Sequence, residues 1–398
     1  MLNKKIMTEK DIIKNEKINE LFELIQKGDN VEVKKLITDK IVSINCLDEN
    51  GLSPIDQAAF KGNEELVKWL LDNKANPHNK ANKDGYTSLM FAALSGNSNI
   101  CELLLEAGVN SEALNVLGKS ASEIAAFTGQ HECVSTINSY ITYDCVDKIL
   151  HPNGDKSSEI YPQALVKFIH ELVKGNEIHP VRIIFKIINN MVIKQYPKKI
   201  LWVIDRLFER QLRFKSSNEM MSLKLWIIYF PLNEVMKFVK KCENDNKNNE
   251  ENFDTEKILL SFAKRVIEKK KGSVIKEYEE ILLKNTIQAF PYKQSLLHHT
   301  ILRSLTRIKD VTRSYVYNTI IRGLYGEQLL MNSKTCETCG FIGAKLRCQR
   351  CKTTYCSVEC QKFDWSFHKN CCKLLAQLNK EEEILSVEEL QDMHLKND

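Results

Sequence analysis

Residues 336–372 read CETCGFIGAKLRCQRCKTTYCSVECQKFDWSFHKNCC. Within this stretch Cys336, Cys339, Cys348, Cys351, Cys356, Cys360, His368 and Cys372 follow the spacing C-x2-C-x8-C-x2-C-x4-C-x3-C-x7-H-x3-C. Thiolates and imidazoles hold Zn²⁺ in tetrahedral sets of four, so eight ligands make two closed sites. A closed site leaves no position for water or substrate, and zinc held this way is structural. Each C-x2-C step bends the backbone into a knuckle offering two sulfurs to one ion. Cys356 and Cys360 stand one helical turn apart, as do His368 and Cys372, so each pair can face one metal. Spacing alone leaves open which pairs share an ion, and Cys371 competes with Cys372 as the last ligand.

The charge of this stretch argues against a nucleic-acid module. From Lys334 to Cys372 there are seven Lys/Arg and three Asp/Glu. With seven thiolates and two Zn²⁺ the folded segment carries about +1, a weak footprint for a phosphate backbone.

The order of cysteine pairs resembles the MYND zinc finger, and Tyr355, Gln361, Trp365 and His368 stand where that family has its supporting residues. The resemblance implies interleaved sites: Cys336, Cys339, Cys356 and Cys360 around one ion, and Cys348, Cys351, His368 and Cys372 around the other. It also implies a groove beside the zinc helix that receives proline-rich peptide, lined by Gln361 and Trp365. The Trp365 ring suits the face of a polyproline helix; the alternative is that it anchors the core of a small domain. Gln349 departs from the small hydroxyl residue that some peptide-binding members carry there.

Composition sets wider bounds. The chain has 398 residues, 43% hydrophobic and 27% charged, with net charge +5. That suits two or three globular domains and names no acidic partner. Of thirteen cysteines, Cys46, Cys101, Cys133, Cys145 and Cys242 are scattered, which argues for a reducing compartment. No apolar signal-peptide segment follows Met1, and no stretch is long enough to span a bilayer, so direct membrane insertion is not expected.

The first third repeats with a period of 33–34 residues. Gly51, Gly85 and Gly118 open the units, Ser53, Thr87 and Ser120 follow, paired alanines fall in register, and Gly62, Gly96 and Gly129 close each first helix. The pattern resembles the ankyrin repeat, with Ser53-Pro54-Ile55-Asp56-Gln57-Ala58 at the helix-opening motif. The glycines supply positive φ at hairpin tips and the hydroxyls cap helices. Leu66, Trp69, Leu70, Leu103 and Leu104 make the apolar face of the second helices. A degenerate unit around Gly28 reads as an N-terminal cap. Such repeats carry no catalysis, and their hairpin tips and inner helices form a protein-binding face. Tyr86 at the second tip is the contact candidate, its alternative being a side chain packed on a neighbouring repeat.

The middle reads as helices, with stripes Leu201/Ile204/Phe208/Leu212 and Ile275/Tyr278/Leu282. An Asn-rich run from Glu243 to Asn252 interrupts it and reads as a loop. His170-Glu171 begins like a zinc-protease helix, but Lys174 occupies the second ligand position. His298-His299 has no carboxylate nearby in sequence. No Walker or GxGxxG loop occurs. Lys269-Lys270-Lys271 reads as a solvated helix end, and Ser386-Val387-Glu388-Glu389 as a capping box opening a last short helix.

The expected fold class is mainly α: an ankyrin-repeat solenoid, a helical middle domain and a C-terminal MYND-type double zinc finger. The boundaries are 1–143 for the cap and repeats (48–80, 82–114 and 115–143), 144–332 for the middle with its loop at 243–254, 333–373 for the finger and 374–398 for a short helical acidic tail. The combination, with His179-Pro180-Val181-Arg182-Ile183 and Ala289-Phe290-Pro291-Tyr292, resembles the ankyrin repeat and MYND domain-containing proteins. That resemblance implies a cytoplasmic, cilium-associated, non-enzymatic adaptor supporting the trafficking of signalling proteins, membrane cyclases among them, with an FK506-binding immunophilin as partner. The alternative is a nuclear transcriptional cofactor recruiting proline-rich partners through the finger. A lysine methyltransferase is disfavoured, because the middle lacks the strands and Gly/Asn motifs of a cofactor-binding SET core.

Overall fold

Asparagines and glycines decide where the helices of the first third begin and end. In the computed structural model, which describes residues 9–79, 81–152, 161–188, 190, 192–213, 218–246, 254–307, 313–326 and 334–395, they do so repeatedly. Asn63 accepts the N–H of Leu66, and Asn97 that of Ile100, each capping an outer helix. Gly62, Gly96 and Gly129 take positive φ between inner and outer helices.

The chain divides into two compact units, Met1–Thr142 and Tyr143–Asp398. The first stacks helix pairs: α1 (Glu9–Lys27) with α2 (Asn30–Thr38), α3 (Pro54–Phe60) with α4 (Glu64–Asp72), α5 (Ser88–Ser95) with α6 (Ser98–Glu106), and α7 (Ala121–Phe127) with α8 (His131–Ser139). Ala58, Ala59, Ala92, Ala93 and Ala125 are fully buried where the inner helices meet, a contact that larger side chains would hold apart. Leu66, Leu70 and Leu104 are fully buried on the outer helices, each contributing about 1.5–3 kcal/mol. Asp56, itself buried, accepts from Ser53 of its own repeat and from Asn79 and Ser88, so one carboxylate ties two repeats together. Thr87 and Ser120 accept backbone N–H groups on their hydroxyls, and Ser53 forms a capping box with Asp56, which accepts both the Ser53 N–H and its hydroxyl.

The second unit is a helical body with the finger packed upon it. Its helices are α9 (Tyr143–Leu150), α10 (Gln163–Val173), α11 (Pro180–Ile188), α12 (Val192–Gln195), α13 (Pro197–Arg213), α14 (Glu219–Asn246), α15 (Thr255–Ile267), α16 (Glu277–Gln288), α17 (Leu296–Arg307) and α18 (Val316–Tyr325). The buried stripe of α13 is Ile200, Val203, Ile204, Leu207 and Phe208; Leu201 and Leu212 are only half-buried, which corrects the expected stripe by part of a turn. Ile275 likewise precedes α16 rather than belonging to it, while Leu282 is buried within it. Glu243 to Asn246 end α14 as helix, and 247–253 of the expected loop lie outside the described residues.

The finger contributes a two-stranded antiparallel ribbon, β1 (Leu346–Arg347) and β2 (Thr354–Tyr355), with Leu346 opposite Tyr355. A long helix follows, α19 (Val358–Leu395). It runs unbroken past Ser386, so the expected new helix start there is corrected: a capping-box pattern does not cap where the backbone N–H groups are already paired within a helix.

Candidate zinc centre and its seat on the helical body

One knuckle and one helix turn assemble the first cluster. Cys336 N–H donates to the Phe341 carbonyl and Gly340 N–H to the Cys336 carbonyl, folding the loop around Cys336 and Cys339. Ser357 opens α19 by accepting the Cys360 N–H on its hydroxyl, which sets Cys356 and Cys360 one turn apart. The Sγ atoms of Cys339, Cys356 and Cys360 stand 3.5–3.7 Å from one another. Cys336 completes this group.

The second cluster holds Cys348, Cys351, His368 and Cys372. Cys348 N–H donates to the Thr353 carbonyl, and Lys352 takes positive φ to close that knuckle. Cys348 Sγ lies 3.9 Å from Cys372 Sγ, and Cys351 Sγ lies 3.5 Å from His368 Nε2. Cys371 instead turns its thiol to the Phe367 and His368 carbonyls. A zinc tetrahedron with Zn–S near 2.3 Å has S···S edges of about 3.8 Å, and slightly shorter S···N edges. Both clusters match in donor type, number and spacing, and each fits one structural Zn²⁺. Such an ion supplies folding energy and leaves no open coordination position.

Beside the second cluster lies a buried polar chain. His368 Nδ1 is 3.0 Å from the Tyr355 hydroxyl, which donates to Asp364 Oδ2 at 2.8 Å. Asp364 faces the Lys269 ammonium at 3.3 Å, and Lys269 reaches Glu337 Oε1 at 3.0 Å. Lys276 donates to the Glu337 carbonyl at 2.7 Å and lies 3.3 Å from Glu279, which meets His179 Nε2 at 3.4 Å. The Nδ1 of His179 accepts the Val181 N–H, so its proton sits on Nε2, towards Glu279. Burial opposes the charge on Lys269, but Glu337 and Asp364 outweigh it and hold its pKa above the usual lysine value. Burial also opposes charge on Glu337, yet Lys269 and Lys276 bring its pKa down to about 2. Burial, then the adjacent Asp364 carboxylate, raises the Tyr355 phenol well above its ordinary range, so it remains a donor.

This chain corrects the reading of Lys269 as part of a solvated helix end: its side chain is 1% exposed, while Lys270 is exposed as expected. Further contacts seat the finger on the body. Tyr317 donates to the Gly340 carbonyl, Phe185 meets Phe363 edge-on at 5.3 Å, and the Arg182 guanidinium lies over Phe341. The Asn379 amide bonds the Cys351 carbonyl and accepts from Arg313.

Trp365 is 53% exposed on the first turns of α19, stacked on the His368 ring, and Gln361 one turn before it is half-buried. Tyr86 is half-buried and stacked on Phe91 at 5.4 Å, with Asn82 bonding both its N–H and its carbonyl. It lines a hollow of about 350 Å³ with Asn50, Lys83 and Asp84. His170 and His298 are buried; His298 bonds the Ile287 carbonyl. In the last repeat Val116, Leu117 and Phe127 are 72–93% exposed, an apolar patch that its repeat pattern did not single out. Its signal was available: Leu117-Gly118 replaces the polar tips Asn50-Gly51 and Asp84-Gly85.

Stacked helix pairs with a two-cluster cysteine–histidine finger define the class: an ankyrin-repeat protein bearing a MYND-type zinc finger. The ankyrin-repeat pattern matches in three copies over residues 4–113 and 57–149, and the MYND-finger pattern over residues 336–372. Dauer abnormal formation protein 25 of Caenorhabditis elegans is 44% identical over 273 residues, 68% of each chain. The chain therefore belongs to the family of ankyrin-repeat and MYND-domain proteins that includes that relative. Tudor domain-containing protein 1 of Mus musculus is 43% identical over 70 residues, 17% of this chain and 6% of its own length. Its Homo sapiens counterpart is 50% identical over 44 residues, 11% and 4% of the respective chains.

Proposed function

We propose that this protein is a non-enzymatic adaptor whose ankyrin stack engages one protein while its finger docks a proline-rich segment of another. The observation that carries the reading is the exposed Trp365 ring, presented beside Gln361 on a helix anchored by zinc ligands. A flat apolar platform of this kind suits the pre-extended polyproline helix, which loses little entropy on docking. Two modest sites on one chain raise the effective concentration of each client for the other, so neither needs high affinity. On the stack, Tyr86 and the hollow beside it are the contact we favour.

The finer reading follows the family resemblance. The clients are signalling proteins bound for cilia, with cyclases and an FK506-binding immunophilin among them, and the setting is cytoplasmic and cilium-associated. No described helix is long and apolar enough to cross a membrane, and the reading includes neither nucleic-acid contact nor membrane insertion. Fluorescence anisotropy with a labelled proline-rich peptide tests the finger: binding to the full chain, weakened at least about tenfold in Trp365→Ala, supports it. Equal binding to both chains contradicts it.

A further inference from the structure

The two zinc clusters differ in what surrounds them. Cys348, Cys351, His368 and Cys372 include one imidazole, and an imidazole has two nitrogens with different duties. Nε2 of His368 faces Cys351 Sγ at 3.5 Å, on the metal side. Nδ1 must then carry the proton, and it points at the Tyr355 oxygen 3.0 Å away. Tyr355 passes its own proton towards Asp364 Oδ2 at 2.8 Å. Every donor in this chain points one way, towards a single carboxylate.

That carboxylate is buried, and its countercharge comes from outside the finger. Asp364 and Lys269 are each 1% exposed in their side chains, and Lys269 Nζ stands 3.3 and 3.5 Å from the two Asp364 oxygens. Lys269 stands two residues beyond the end of α15 in the helical body, 95 residues away from Asp364 in sequence. An unpaired buried carboxylate is strongly unfavourable, so without the ammonium Asp364 would turn away from its place beside Tyr355 towards water. Tyr355 would then lose its acceptor, and His368 the partner that fixes its tautomer. Groups that orient a ligating histidine through its second nitrogen commonly set metal affinity within a factor of about 10–100.

We propose that Lys269 is a positioning residue for the second zinc site, acting through Asp364 and Tyr355 on His368, so that the helical body tunes metal retention in the finger. The first site, with four cysteines and no imidazole, lies outside this relay, and Glu337, between its ligands Cys336 and Cys339, keeps Lys276 as a partner when Lys269 is replaced. By reciprocity, zinc in the second site favours the seating of Lys269 against Asp364, and metal occupancy and docking of the finger are linked.

The test uses the full chain loaded with two Zn²⁺ and challenged with a colorimetric chelator. Lys269→Met is expected to release one ion about 10–100-fold more readily while the other is held as in the parent, with partial recovery in Lys269→Arg. Tyr355→Phe keeps the Lys269–Asp364 pair and interrupts only the relay, and should weaken the same ion. Co²⁺ substitution identifies which site is affected, since S4 and S3N sites absorb differently, and imidazole ¹⁵N shifts report the His368 tautomer. Release of both ions together from Lys269→Met, with Tyr355→Phe behaving like the parent, would make Lys269 a general structural residue and overturn the proposal. Unchanged release from Lys269→Met and Tyr355→Phe alike would overturn it equally.

Discussion

Gly340 lies so close beneath the Tyr317 ring that a Cβ added to it would stand 2.6 Å from Cε1, and 2.7 Å from His179 Cδ2. Its φ of +65° is also one that glycine adopts without strain. The finger's first knuckle therefore sits directly on α18 and the residue that precedes α11, with no room for even a methyl group. Gly340→Ala should destabilise the second unit by about 2–4 kcal/mol, from overpacking together with left-handed strain. A denaturant midpoint within error of the parent would contradict this account of the seat.

Cys348→Ser removes one ligand of the second cluster. The variant should bind one Zn²⁺ per chain instead of two and lose much of the finger's order, because metal binding supplies folding energy there. Native mass spectrometry counts the ions; two retained per chain would refute the assignment of Cys348.

The buried pair Lys276–Glu279 predicts a pH dependence with two limbs. Burial opposes charge on Glu279, but Lys276 and then His179 hold its pKa below the usual value, so its contribution is present above the ordinary carboxyl range and lost as pH falls. Burial likewise opposes charge on Lys276, yet Glu279 and Glu337 raise its pKa, so its contribution is full below the ordinary lysine value and lost as pH climbs beyond it. The contribution of this pair should be flat between about pH 5 and 10 and fall on both sides. In urea titrations the gap between the parent and Glu279→Gln should narrow on acidification; a gap independent of pH would contradict the ion pair.

Trp365→Ala and Tyr86→Ala should behave differently in stability. Trp365 is more than half exposed, so its loss should move the unfolding midpoint little, whatever it does to peptide binding. Tyr86→Ala removes a stacked partner of Phe91, at a cost of about 0.5–1.5 kcal/mol beyond the buried area. Thermal scans of the two variants side by side check the contrast.

What the sequence made legible was local. Hairpin glycines, capping hydroxyls, paired alanines and the eight ligands act within a few residues or recur at a fixed period, so their roles survive without coordinates. The α13 stripe was placed part of a turn away because Leu201 and Leu212 share the helical period with residues that pack more deeply. Lys269 was misplaced for a stronger reason: a run of three lysines looks solvated, and nothing in the chain announces a carboxylate 95 residues later. Lys276 and Glu279 escaped notice for the same cause, and His179, named only within a family stretch, gave no sign of its carboxylate partner, since tertiary ion pairs leave no periodic trace. Val116, Leu117 and Phe127 could have been suspected from the apolar third tip, but their exposure is a property of the folded stack.

Proximity labelling in ciliated cells tests the adaptor reading most directly, with the parent chain beside Trp365→Ala and Tyr86→Ala. The account predicts recovery of an FK506-binding immunophilin and ciliary signalling proteins by the parent, with one set of partners lost in one variant. Recovery of chromatin proteins instead, unchanged across all three chains, would contradict it and favour a nuclear cofactor.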